Sequence, residues 1–207
     1  MRGVGVVLII VIYALLVHHV NKSGQASLLG ALLALAPLFL ITLTFAIKVS
    51  SKILGAGVIL LFIISSWLLL PLIKQHTGLL FWLQDIGLML VLFITFARTL
   101  VKGRKALCVQ FAEIINGGTL PADHKRYAYH VTIAWAVFFA MIMLISTLLF
   151  FFAPLTTWSF FVNFLTLPLV ALMFIVEFIV RKQVLTDLPT GNVLDAVRAY
   201  MNSKQAH

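Results

Sequence analysis

Asp85 is the one acidic residue well inside an apolar run, about 9 Å beyond Leu79 at roughly 1.5 Å per helical residue. An ionised carboxylate at the centre of a bilayer costs about 2.5–3.5 kcal/mol on insertion scales, and less nearer the interface. It therefore calls for a partner or a proton. Gln84, Lys74, His18, His19 and His76 are the polar groups at matching depth. Two readings stay open. Asp85, Gln84, His18, His19 and His76 form an intramembrane proton or cation site, or Asp85 makes a polar contact that fixes helix packing. No metal centre is expected, because the adjacent His18 and His19 project about 100° apart on a helix and do not readily share one ion.

A second group of ionisable residues lies towards the other end of the apolar runs. Glu177 precedes Arg181 by one helical step, the spacing of an interfacial ion pair. With Arg98, Arg126 and Tyr127 at the same depth it could instead form a cytoplasmic-side polar pocket. Asn163 is read as a hydrogen-bonding contact between helices. No catalytic residues and no cofactor are expected. The chain has no paired acidic motif for diphosphates, no Gly-rich phosphate loop, no His-Glu-x-x-His helix and no Gly-x-Ser-x-Gly elbow. Ser65 and Ser66 sit in an apolar run with no base nearby in sequence.

The elements that position these residues follow from composition. The 207-residue chain is 62% hydrophobic and 10% charged, against about 25% charged in soluble domains. The predicted fold class is all-α: a single polytopic membrane domain of six transmembrane helices with two cytoplasmic amphipathic surface helices. The predicted spans are Val4 to Val20, Leu28 to Ile47, Ile53 to Ile73, Leu79 to Ala97, Val131 to Phe152 and Trp158 to Val180, each near the roughly 20 residues a crossing needs. The first is read as a retained helix, because its apolar run ends in His18-His19 without a small-residue cleavage site. Pro37 and Pro168 fall inside the second and sixth spans and predict kinks. Trp67, Trp82, Trp135 and Trp158 fall near span ends and are read as interfacial anchors.

Thirteen of the fifteen Lys and Arg residues then fall on one side, leaving only Lys22 and Lys74 on the other. The positive-inside rule makes the rich side cytoplasmic, so both termini are expected to be cytoplasmic. The same rule accounts for the net charge of +9, and nucleic acid is not an expected partner. Cys108 is the only cysteine, which excludes an internal disulfide and a Cys-x-x-Cys pair. In the loop spanning 98–130, Leu107, Phe111, Ile114 and Ile115 recur at helical spacing and predict an amphipathic helix on the membrane face. Asn116-Gly117-Gly118 supplies its stop, and Thr119-Leu120-Pro121 starts a helix running through Tyr127 into the fifth span. Val193, Leu194, Val197, Tyr200 and Met201 repeat the pattern in the tail after Pro189-Thr190-Gly191.

From Phe96 to Leu185 the chain resembles a family of small uncharacterised bacterial inner-membrane proteins encoded among aryl-polyene-type pigment and fatty-acid-like synthesis genes. The resemblance rests on Phe96-Ala97-Arg98-Thr99-Leu100, Gly103-Arg104, Leu107, Leu120-Pro121, Arg126-Tyr127, Val131-Thr132, Trp135, Phe138-Phe139, Trp158, Asn163, Glu177 and Arg181. It covers under half of the chain, through spaced signatures. It implies a non-catalytic accessory or scaffold role for a synthase system that builds acyl chains. Besides the lipid bilayer, the partner it implies is an acidic acyl carrier protein or a synthase. Arg104, Lys105, Lys125, Arg181 and Lys182 would form the docking face, although attraction to anionic lipid accounts for the same charges. The alternatives are a small carrier or flippase for a lipid-like product and a membrane enzyme acting on a lipidic substrate.

Overall fold

The structure is a computed structural model that describes residues 2–23 and 27–185. These residues form helices and connecting turns, with no strand among them. The helices are α1 (Arg2–Ser23), α2 (Leu28–Lys48), α3 (Lys52–Leu68), α4 (Leu70–Gln75), α5 (Thr77–Ala97), α6 (Leu107–Ile115), α7 (Ala122–Phe152), α8 (Leu155–Phe160) and α9 (Thr166–Val184), with a π-helical turn at Phe161–Leu165 joining the last two. Five segments are long and apolar enough to cross a membrane: Gly5–Ser23, Leu28–Lys48, Thr77–Ala97, Ala122–Phe152 and Leu155–Val184. Most of the large side chains they expose are apolar, as a lipid solvent requires. Phe152 is 84% exposed and Leu61 of α3 69%.

The third predicted span, Ile53 to Ile73, is not one helix. It breaks at Leu69 into the 17-residue α3 and the short α4. Pro71 is the physical cause: it has no N–H to bond the preceding turn, its ring clashes with the carbonyl four residues back, and it is tolerated only in the first turn of a new helix. The helix expected to start at Thr119-Leu120-Pro121 and run into the fifth span is there: Pro121 O accepts from Lys125 N–H at 3.0 Å and opens a continuous 31-residue α7. Pro37 leaves α2 unbroken. Ahead of Pro168 the chain takes the π-helical turn, closed by Thr166 N–H on the Phe161 carbonyl.

Serines cap α2 and α3: Ser27 Oγ accepts from Gly30 N–H at 2.9 Å and Ser51 Oγ from Leu54 N–H at 3.4 Å. Gly55 lets these two helices meet closely, since a Cβ there would lie 2.5 Å from the Ala46 carbonyl oxygen. The described residues divide into two compact units, those up to 86 together with 145–167 and those of 87–144 together with 168–185. The first unit is centred on Val17, Ala34, Phe81 and Trp158. In the second, Ala106, Val109 and Ala128 pack with Leu100 and Cys108, and Trp135 lies 4.6 Å from Phe174 between ring centres. Trp135 and Trp158 are 5% and 1% exposed, so neither is an interfacial anchor. Packing against other rings competes for them and wins. Trp67, 73% exposed, keeps the position of one.

The α6 helix forms where the apolar spacing places it. It ends at Gly117, whose φ of +67° is the left-handed conformation that a glycine stop supplies. Ala106 cannot cap its start, and two threonines from elsewhere do so: Thr99 Oγ1 accepts from Leu107 N–H at 3.0 Å and Thr132 Oγ1 from Cys108 N–H at 3.1 Å. These bonds pin α6 to the turn that follows α5 and to the body of α7. The predicted tail helix at 193–201 lies outside the described residues.

Candidate functional site

Asp85 projects from α5 into the first unit, and its partner is a serine. Ser146 Oγ lies 2.5 Å from Asp85 Oδ2, and Trp158 Nε1 lies 3.0 Å from the same Oγ. Indole N–H is a donor only, so Trp158 donates to Ser146 and Ser146 donates to Asp85. All three are buried, with Ser146 at 0% exposure and Asp85 at 9%. The predicted companions of Asp85 go elsewhere. Gln84, one residue earlier on α5 and therefore about 100° around the helix, donates from Nε2 to the Ala34 carbonyl at 2.6 Å.

His18 belongs to a second polar cluster in the same unit, gathered on Ser159 Oγ. His18 Nδ1, Asn21 Nδ2 and Asn163 Nδ2 each lie 3.2 Å from it. The imidazole is flanked edge-on by Phe164, 5.3 Å between ring centres. Asn163 also donates to the Ser159 carbonyl at 2.8 Å, so both of its hydrogen bonds stay on its own helical segment and the expected bond to a neighbouring helix is not among them. His19 is exposed. His76, exposed as well, lines a cavity together with Lys74 and Asn21, which does not include Asp85. The predicted Asp85–histidine constellation is thus resolved into separate groups.

The proline in α2 is tied to this packing. Pro37 has no N–H, which frees the Leu33 carbonyl four residues back. Tyr13 of α1 takes the place of that donor, its hydroxyl donating to Leu33 O at 3.1 Å. Ser65 is likewise absorbed, its hydroxyl donating to Phe62 O at 3.0 Å.

In the second unit Tyr127 and Glu177 come together as expected. Tyr127 OH donates to the Glu177 carbonyl at 3.1 Å and lies 3.5 Å from Glu177 Oε1. Arg181 Nε stands 3.7 Å from the same oxygen, the ion pair read from the four-residue spacing. Lys182 instead places its ammonium 4.5 Å from the centre of the Phe178 ring. Arg98 and Arg126 are exposed and form no ion pair with Glu177 among the described residues. The pocket predicted from Glu177, Arg98, Arg126 and Tyr127 is therefore reduced to Tyr127, Glu177 and Arg181.

Sequence reasoning missed Glu113, the acid that organises the loop. Lys105 Nζ lies 2.8 Å from its Oε2 and Lys125 Nζ 3.8 Å from its Oε1, and its side chain is 13% exposed. The Lys105 hydrogen bond and charge hold its carboxyl below the usual carboxylate range. Its position three residues after Gln110 on the predicted amphipathic helix was a usable signal. Burial pushes the Cys108 thiol above its ordinary value. Among the described residues no three His, Cys, Asp or Glu side chains converge as a metal site. Compared with known proteins, the chain matches no family model, no curated protein and no solved structure.

Proposed function

We propose that the protein is a six-crossing inner-membrane protein with both termini cytoplasmic, acting as a non-catalytic accessory that docks a lipid-like, aryl-polyene or fatty-acid-type biosynthetic system at the membrane. The observation that carries this reading is the charge left over on the 98–130 segment. Lys105 and Lys125 are drawn to Glu113, yet Arg98, Lys102, Arg104 and Arg126 are exposed and have no ion-pair partner among the described residues. A folded face carrying unpaired cations beside the exposed Phe111 and Ile114 suits a partner that is acidic and presents an apolar chain. An acyl carrier protein has both properties.

The carrier reading, with Asp85 as a proton or cation site, requires that carboxyl to be available. Its hydrogen bond to Ser146 and its burial favour a packing role instead. The enzyme reading required Arg98 and Arg126 at Glu177, where Arg181 stands.

The test is titration of an acylated carrier protein against the purified protein. Lys102→Glu with Arg104→Glu leaves the Lys105–Glu113 pair intact and is expected to weaken binding by about tenfold or more, with a steep salt dependence. Binding that is indifferent to this double reversal removes the docking face. Loss of function in Asp85→Asn with binding retained would move the assignment to transport.

A further inference from the structure

Where α4 meets α5, the first unit contains a cavity of about 340 Å³, within the roughly 300–1,000 Å³ usual for small-molecule sites. Lys74 and His76 line it. Lys74 is half-buried and has no ion-pair partner among the described residues. Asn21 lines it too and is 4% exposed. Its Nδ2 is used on Ser159, while its Oδ1 is buried with no donor among the described residues. The first turn of α5 also borders the cavity. Leu80 N–H bonds the His76 carbonyl at 3.2 Å, so the amides of Thr77, Gly78 and Leu79 precede the first helical hydrogen bond of a 21-residue helix. Such a turn favours an anion. Phe150 and Leu155 supply apolar lining.

These groups specify a ligand by chemistry. The Lys74 ammonium and the turn amides are donors that match phosphate oxygens. The Asn21 carbonyl is an acceptor, and it needs an N–H or O–H from the ligand. The apolar lining, at the start of a helix long enough to cross a membrane, suits the first carbons of an acyl chain. Inorganic phosphate, whose own O–H can donate to Asn21 Oδ1, would satisfy the first two requirements and leave the apolar lining unused. We propose that this cavity holds the headgroup of a phospholipid whose phosphate meets Lys74 and the α5 amides and whose own N–H or O–H donates to Asn21 Oδ1. Ethanolamine and glycerol headgroups carry such a donor, and choline does not. This site is separate from the docking face proposed above and does not depend on it.

Native mass spectrometry of the protein released from vesicles of phosphatidylethanolamine, phosphatidylglycerol or phosphatidylcholine tests the assignment. The first two lipids are expected to be retained and phosphatidylcholine to be lost. Lys74→Gln, at a half-buried position at the end of α4, should lower retention about tenfold, the equivalent of one charge-assisted contact. Lys22→Gln, at an exposed cation outside the cavity, should leave it unchanged, and circular dichroism checks that both variants keep their helix content. Equal retention of phosphatidylcholine would overturn the proposal, as would equal losses in the two lysine variants. Binding of chain-free glycerol phosphate as tightly as the lipid would overturn the lipid assignment.

Discussion

Ser146 carries two obligations with one hydroxyl, accepting from Trp158 and donating to Asp85. Truncating it leaves a buried indole N–H and a buried carboxyl without their partner, at a cost of about 1–3 kcal/mol. Asp85→Asn keeps a carbonyl oxygen for the serine to bond and should cost less than about 1 kcal/mol. Thermal unfolding in detergent is therefore expected to rank Ser146→Ala below Asp85→Asn, with wild type at the top. The reverse order would mean that the charge of Asp85, not its hydrogen bond, holds the unit together. The need of Asp85 for a partner was readable in the sequence, because a lone acid in an apolar run is costly wherever it sits. Which partner was not readable: depth along a helix can be counted from residue numbers, but which face meets which neighbour depends on packing. Glu177 and Arg181 escaped that ambiguity because both lie on one helix, where spacing alone brings them within reach. Arg98 and Arg126 sit at the right depth, yet form no ion pair with Glu177 among the described residues.

Tyr13 and Pro37 behave as one device shared between α1 and α2. The proline frees the Leu33 carbonyl and the tyrosine occupies it, so the value of the hydroxyl depends on the missing N–H. Tyr13→Phe should destabilise the protein by roughly 0.5–1.5 kcal/mol, and by much less in a Pro37→Ala background, where the introduced alanine supplies an N–H that can bond Leu33 O itself. A double-mutant cycle on unfolding measures the coupling, and additive effects would separate the two residues. The loop helix α6 carries a pH-dependent counterpart. Lys105 depresses the Glu113 carboxyl, so the ionised form is favoured in the folded protein. Its stabilisation is fully present above the ordinary glutamate range and is lost as pH falls through the lowered folded value. On acidification, hydrogen exchange of the α6 amides should slow less than the intrinsic base-catalysed trend requires, and Glu113→Gln should abolish that difference. The extent of α6 was legible because Gly117 requires a left-handed turn and the apolar spacing leads into it. The break at Leu69 had its signal in Pro71, but the apolar run continues on both sides and hydropathy alone masks the interruption.

At the scale of the whole molecule the question is whether α3 crosses the membrane. Its 17 residues span about 26 Å at 1.5 Å per residue, the lower limit for a crossing, and α4 carries the apolar run on only as far as Ile73, ahead of Lys74 and Gln75. If α3 and α4 cross together, thirteen of fifteen Lys and Arg residues share one side. If they do not, the five longer segments still place eleven on one side, and that side again holds the 98–126 loop and the tail. The positive-inside rule puts the carboxyl end on the same side in both arrangements, so a reporter there does not separate them; only the chain before α5 changes sides. The six-crossing form is favoured by its steeper charge asymmetry and by the exposed apolar surface of α3, where Leu60, Leu61 and Ile63 are all more than half exposed and need lipid around them. Cys108 is the only cysteine, so a Cys108→Ser background accepts single reporters. Ser50→Cys, between α2 and α3, is expected to resist a membrane-impermeant thiol reagent in right-side-out vesicles and to react in inverted ones. Gln75→Cys, at the end of α4, should do the opposite. Labelling of both from the same side would mean that α3 and α4 return to the face they left, reversing the amino-terminal orientation while leaving the basic loop where the charge places it.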